Sequence, residues 1–191
     1  MPVSLSLLLE ALWFILPAYV ANSIASDVAH LPFLEKFSYP LDFGLKWRNV
    51  RIFGPNKTWR GLVFGVIAAV ATGVLQQNYA GGATSFLSGY LHLDSTLHLP
   101  PMSTALAFML GFGAIVGDAV KSFFKRRMGI ESGQPAPLLD QLDYIFGAFF
   151  FAWLLGSISL EYFAVIIIVT VPLHLMANFV AWLLKLKNVP W

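Results

Sequence analysis

The 191-residue chain contains no cysteine. That excludes disulfides, cysteine-ligated zinc and a cysteine nucleophile. Its four histidines, His30, His92, His98 and His174, are dispersed, with no pair at metal-ligand spacing. Charge is scarce as well. Asp, Glu, Lys and Arg make up 12% of the residues, where a soluble domain carries about a quarter. A phosphate-binding GxxxxGK[ST] loop is absent. No internal repeat is present, which argues against a secondary transporter built from inverted halves. The first apolar run has no basic residue ahead of it. At about 25 residues it is too long for the core of a secretory signal, so it is expected to be kept as a span.

What the chain has in excess is hydrocarbon. It is 58% hydrophobic, with a mean hydropathy of +0.71. The apolar runs are continuous rather than alternating, which favours helices over a β-barrel. Several approach or exceed the roughly 20 residues that cross a bilayer. The pattern predicts an all-α integral membrane protein, one domain over 1–191, with five transmembrane helices. The expected spans are 3–27, 60–78, 101–119, 142–157 and 160–184, the fourth being short. Loops 28–59 and 120–141, with Arg60 beside the first loop and with the tail, hold all twelve Lys and Arg. Loop 79–100 and the turn near 158 hold none, and loop 79–100 reads as a surface cover. The positive-inside rule then puts the basic side in the cytoplasm, the N-terminus outside and the C-terminus inside. The expected localisation is the cell membrane, multi-pass, with the polar clusters cytoplasmic. Pro17 and Pro172 are expected to kink their helices. Glu10 and Asn178 are expected to face the bundle interior.

The charges cluster. Residues 117–143, GDAVKSFFKRRMGIESGQPAPLLDQLD, hold four of the twelve bases and four of the ten acids. Asp118, Lys121, Ser122 and Lys125 are spaced i, i+3, i+4 and i+7, one face of a helix that Gly129 would end. Asp140 and Asp143 sit three apart at the start of span four. Each has a plain structural reading: an ion pair for Asp118, helix caps for Asp140 and Asp143, membrane flanks for Arg126 and Arg127. Taken together, with spans three and four as antiparallel neighbours, three carboxylates would converge at one membrane surface. Carboxylates without cysteine suit a hard cation such as Mg²⁺, and the bases around them suit phosphate. A second cluster, FGPNKTWRG at 53–61, places Asn56, Lys57, Thr58 and Arg60 before a helix start, where anions bind. Trp59 reads as an interfacial anchor. The pairs Gly61/Gly65 and Gly113/Gly117 read as close packing in spans two and three, which would bring the two clusters together.

These residues carry a resemblance. GD..KS..KR...I..G followed by P.LDQLD resembles the signature of CDP-diacylglycerol synthases, and PNKTWRG resembles their PKKT.EG element. The departures are Pro137-Leu138-Leu139 in place of a His-Gly-Gly, Gln141 in place of an arginine, and Arg60 in place of a glutamate. With the short length, these look like the archaeal branch of that family, the CDP-archaeol synthases. The resemblance implies transfer of the cytidylyl group of CTP to an isoprenoid ether lipid phosphate, with release of pyrophosphate. It implies Asp118, Lys121, Lys125, Asp140 and Asp143 as catalytic residues, and Asp118, Asp140 and Asp143 on Mg²⁺. Asn56, Lys57, Thr58, Arg60, Ser122 and Arg126 would bind substrate. The partners are CTP, the lipid phosphate and membrane lipid, and no nucleic acid. An enzyme for ester-linked phosphatidic acid and a non-enzymatic transporter stay open as alternatives.

Overall fold

Hydroxyl side chains open four of the helices, Ser159 among them by accepting Tyr162 N–H. Ser4, Thr58 and Ser103 each accept the backbone N–H three residues on, the usual way to satisfy an orphan donor at a helix start. The computed structural model describes residues 4–28, 36–93, 97–132, 134, 136, 138–183 and 185. Five helices follow in order: α1 (Leu5–Asp27), α2 (Trp59–Tyr90), α3 (Thr104–Arg127), α4 (Leu139–Leu154) and α5 (Leu160–Leu183). The expected start of span one at Val3, together with His30, Leu184 and Lys187, lies outside the described residues.

Among the described residues, four helices are long and apolar enough to cross a membrane: α1, α2, α3 and α5. α4 has 16 residues, about 24 Å against the ~30 Å hydrocarbon core of a bilayer. α2 corrects the expected second span. It has 32 residues and absorbs most of the segment read as an outer loop. Asn78, Thr84 and Ser85, which look like loop residues, bond back to the carbonyls of Val74, Ala80 and Gly81. No proline interrupts them before Pro100. The all-α expectation needs a second correction. Between α1 and α2, a small antiparallel hairpin pairs β1 (Lys46–Trp47) with β2 (Val50–Arg51). Its two-residue turn, Arg48-Asn49, has both φ angles positive, the geometry that matches strand twist.

Packing follows the small residues. α3 and α4 share the most extensive contact. Gly113 lies against the Gly147 carbonyl and Gly117 against the Asp143 carbonyl, so the two helices run antiparallel with their backbones touching. The glycine pair expected between α2 and α3 works differently. Gly61 faces α1, where an added Cβ would stand 3.0 Å from the Ala25 carbonyl oxygen. Gly65 meets both α1 at Ala21 and α3 at Ile115, and the α2–α3 contact also uses Gly73 against Ala107 and Gly111 against Ala69. The main core joins Ile15, Leu110, Ile145 and Ile166, from α1, α3, α4 and α5.

Helices α1 and α5 run unbroken through Pro17 and Pro172. Proline 17 has no N–H to offer the carbonyl four residues back, that of Trp13. Gln76 of α2 supplies the missing donor, its Nε2 lying 2.7 Å from that oxygen. In a membrane such a bond also ties two helices together.

Candidate active site

The C-terminal end of α3 carries the expected face. A Schellman motif ends the helix: Ile130 N–H donates to the Lys125 carbonyl and Gly129 N–H to that of Arg126, with Gly129 at φ 76°. Upstream, Asp118 and Lys121 point toward the start of α4. Lys121 Nζ lies 2.8 Å from Asp118, 3.1 Å from Asp140 and 3.0 Å from Asp143. One ammonium therefore stands among all three carboxylates. Lys57, from the segment before α2, closes on the other oxygen of Asp118. Lys125 sits 2.9 Å from Asp140 and also donates to the Gln134 carbonyl. Three lysines balance three aspartates, as partly buried charge requires.

These groups edge a cleft of about 450 Å³. Asn56, Lys57, Thr58, Arg60, Asp118, Lys121 and Asp140 line it, with Asn22 and Ser26 of α1. Two apolar grooves of about 430 Å³ flank it. One runs along α3 and α4, from Phe146 and Phe150 up to Lys121 and Asp143. The other lies at the start of α2, between Phe37, Tyr39, Phe43 and Phe64, and ends on Arg60. Lys121 and Arg60 thus each belong to both the polar cleft and one apolar groove.

Several expected site residues take other places. Ser122 is buried and its hydroxyl donates to the Asp118 carbonyl, so it does not line the cleft. Lys125 braces Asp140 and the loop before α4 rather than facing the cleft. Arg126 does not line the cleft either, and its Nε has no hydrogen-bond partner among the described residues. Thr58 lines the cleft while its oxygen caps α2. Asp143 faces the apolar groove rather than the cleft. No side chain caps α4. Asp140 lies in its first turn, where a negative charge suits the helix dipole, but its carboxylate accepts Ala136 N–H of the preceding loop at 2.6 Å. Asp143 lies beyond the first turn. Arg127 holds the hairpin. It donates to the carbonyls of Arg51 and Ile52, and its guanidinium lies 3.9 Å from the Phe123 ring centroid.

The donor set has features of a divalent-cation site. Its chemistry fits: three carboxylates, with Asp143 nearly buried and the Lys121 ammonium 3.0 Å from its Oδ2. Their arrangement is not a ready metal cluster, since no three acidic or histidine side chains among the described residues are set around one empty point. Lys121 stands at the centre in place of a cation.

Two contributors escaped the motif reading. Ser132 accepts from Asn56 Nδ2 at 3.2 Å and ties the two clusters together. Asp42 organises the chain ahead of Asn56. The only sequence signal for it is a short Asp-Phe-Gly turn, in which Asp42 accepts Gly44 N–H.

A family model described as CarS-like, CDP-archaeol synthase, matches residues 4–191. A CDP-archaeol synthase of Methanocaldococcus jannaschii is 40% identical over 97% of this chain and 98% of its own. That of Pyrococcus abyssi is 38% identical over 95% and 97%. A solved structure of an intramembrane enzyme for archaeal membrane lipid biosynthesis is 32% identical, with a TM-score of 0.68. The match covers 90% of this chain and 94% of that one. Matched by that family model over residues 4–191 and by these relatives over nearly its whole length, the chain belongs to the CDP-archaeol synthase family.

Proposed function

We propose that the protein transfers the cytidylyl group of CTP to the phosphate of 2,3-bis-O-(geranylgeranyl)glycerol 1-phosphate, giving CDP-archaeol and pyrophosphate. It is a CTP-dependent nucleotidyltransferase of phospholipid synthesis. The observation that carries this reading is a charged cleft joined to apolar grooves through Arg60 and Lys121. Such a layout lets a lipid phosphate enter the cleft while its chains stay in hydrocarbon.

In this mechanism an oxygen of the lipid phosphate attacks the α-phosphorus of CTP. The bond from that phosphorus to the bridging oxygen breaks, and pyrophosphate leaves. No covalent enzyme intermediate is needed, so catalysis rests on positioning and charge neutralisation. Lys57, Arg60 and Asn56 would hold the triphosphate, and Lys121 the attacking lipid phosphate. Asp118 and Asp143, with Asp140, would hold Mg²⁺, which when bound supplies charge neutralisation at the phosphates. Lys57 and Lys121, which here pair with these carboxylates, are the ammonium groups that phosphate oxygens would recruit. Lys125, Ser122 and Arg126 support the helix end rather than touch substrate.

Five spans, an outside N-terminus, a cytoplasmic C-terminus and a cytoplasmic cleft complete the proposal, supported by the one-sided distribution of bases. The native chain has no cysteine, so single introduced cysteines test this cleanly. A cysteine at exposed Lys46 should react with an impermeant reagent only in inside-out vesicles, and one at Tyr90 only in right-side-out vesicles. The opposite pattern rejects the topology.

Pyrophosphate release by purified protein tests the reaction. Release should require CTP, Mg²⁺ and the ether lipid phosphate, and should be lost with EDTA and in Asp118→Asn. Equal or better turnover of ester-linked phosphatidic acid would overturn the lipid assignment. Unchanged turnover in Asp118→Asn would overturn the site.

A further inference from the structure

The segment that brings Asn56, Lys57 and Thr58 to the cleft lies outside the helical bundle. It is held instead by a few bonds to residues 39–45. Leu41 N–H donates to the Lys57 carbonyl at 2.7 Å, and Trp59 N–H to the Tyr39 carbonyl at 2.9 Å. Between these anchors and the hairpin stands Asp42. Residues 43–50 are all exposed, yet the Asp42 side chain is completely buried. Its Oδ1 accepts Gly44 N–H at 3.0 Å and Arg51 Nη2 at 2.7 Å. Its Oδ2 accepts the N–H groups of Phe53 and Gly54, both at 3.0 Å. Four donors converge on one carboxylate that does not line the cleft.

We infer that Asp42 is a positioning residue for nucleotide binding. Its carboxylate clamps the chain at Phe53 and Gly54 so that Asn56 and Lys57 meet Ser132 and Asp118 across the cleft. The inference rests on the proposed reaction. The geometry gives it direction. Leu41 grips the segment at Lys57 and Asp42 grips it at Gly54, so the turn between them has no slack. Lys57 then reaches Asp118 on α3, 61 residues away in sequence. Gly54 has φ 105° and packs toward the Ser132 hydroxyl, so the clamp sits where the backbone already takes a left-handed path. An aspartate suits the task because its two oxygens serve two pairs of donors. Asparagine offers one oxygen, and its NH₂ would face two N–H groups.

Replacement should therefore act on CTP more than on lipid. In full-length protein in detergent, Asp42→Ala should raise KM for CTP by about tenfold or more, since small misplacements of binding groups cost that much. KM for the lipid phosphate should stay within about twofold, because the groove along α3 and α4 that leads to Lys121 contains no residue of this segment. Asp42→Asn should fall between, and Arg51→Ala, which removes one of four donors, should shift least. Hydrogen exchange gives a readout independent of turnover: amides 53–58 should lose protection in Asp42→Asn while those of α3 keep theirs. Unchanged KM for CTP, with only fewer folded molecules, would overturn the inference and leave the proposed reaction standing. Unchanged protection over 53–58 would overturn it whatever the enzyme acts on. If wild-type protein released no pyrophosphate, the proposed reaction would fail and the positioning of a nucleotide with it.

Discussion

The two ends of the helical bundle both contain an acid close to the hydrocarbon, and they use it differently. At one end Glu10 of α1 accepts His98 N–H at 2.9 Å and the Tyr162 hydroxyl at 3.1 Å. Both oxygens serve to tie α1 to the α2–α3 connection and to α5. At the other end Asp118, Asp140 and Asp143 converge on the ammonium of Lys121, with Lys57 and Lys125 beside them. The first arrangement uses neutral donors, a backbone N–H and a phenol hydroxyl. The second uses charges from three separate segments and edges a cleft with grooves leading into it. A polar residue in a membrane is thus a brace when its partners are satisfied locally. In the proposed reaction it becomes a site when its partners are ammonium groups that a substrate phosphate can recruit.

The largest effect should separate these two ends. Asp118→Asn should lower kcat by about 10²–10³, the scale for removing one key electrostatic group from a catalytic site. Glu10→Gln should leave kcat within about twofold and lower stability by about 1 kcal/mol, the value of an ordinary hydrogen bond. Pyrophosphate release and thermal unfolding of both variants in one detergent check this. Equal losses of activity would erase the distinction.

Next is the contact that builds the charged end. An added methyl at Gly117 would run into the Asp143 carbonyl and lie 3.1 Å from the Gly147 Cα. Gly117→Ala should separate α3 from α4, costing about 1–3 kcal/mol of overpacking and moving Asp118 away from Asp143. Gly81→Ala, where an added Cβ meets nothing within 4 Å, is the control and should be neutral or stabilising. Paired melting curves and turnover measurements decide it.

A third test asks whether bracing away from the charges matters to stability alone. Gln76→Leu would leave the Trp13 carbonyl, already freed by Pro17, with no donor from α2. Stability should fall by about 1–3 kcal/mol, with KM for both substrates unchanged.

The smallest effect concerns pH. Burial alone would push the Asp42 carboxyl up. The N–H of Gly54, the guanidinium of Arg51 and the N–H groups of Phe53 and Gly44 overcome this and hold it down at about 2. A lowered carboxyl contributes stability that is complete above its ordinary value near 3.9 and is lost as pH falls through the folded value. The stability gap between wild type and Asp42→Asn should be widest near neutral pH and narrow between about pH 4 and pH 2. Melting curves across that range, in a detergent whose charge does not change, measure it. A gap constant to pH 2 would mean the clamp is not electrostatic.

Sequence alone determined the hydrophobic helices, because unbroken apolar runs have few other ways to satisfy their backbone in lipid. It determined that Asp118, Lys121, Ser122 and Lys125 share one helical face, because 3.6 residues per turn is a local property. It determined the end of α3 at Gly129, because a left-handed cap favours glycine. It did not reveal the full length of α2, because side chains such as Thr84 and Ser85 that read as loop are absorbed by carbonyls one turn back. The tertiary structure decided which members of the helical face reach the cleft. Lys121 meets three carboxylates, while Lys125 turns to the loop and Ser122 to its own helix, and that choice depends on what α4 and residues 53–58 place opposite them. It also decided that Lys57 pairs with Asp118 and that Asp42 holds the segment between. Periodicity sets the direction in which a side chain points; only packing between distant segments supplies what it meets there.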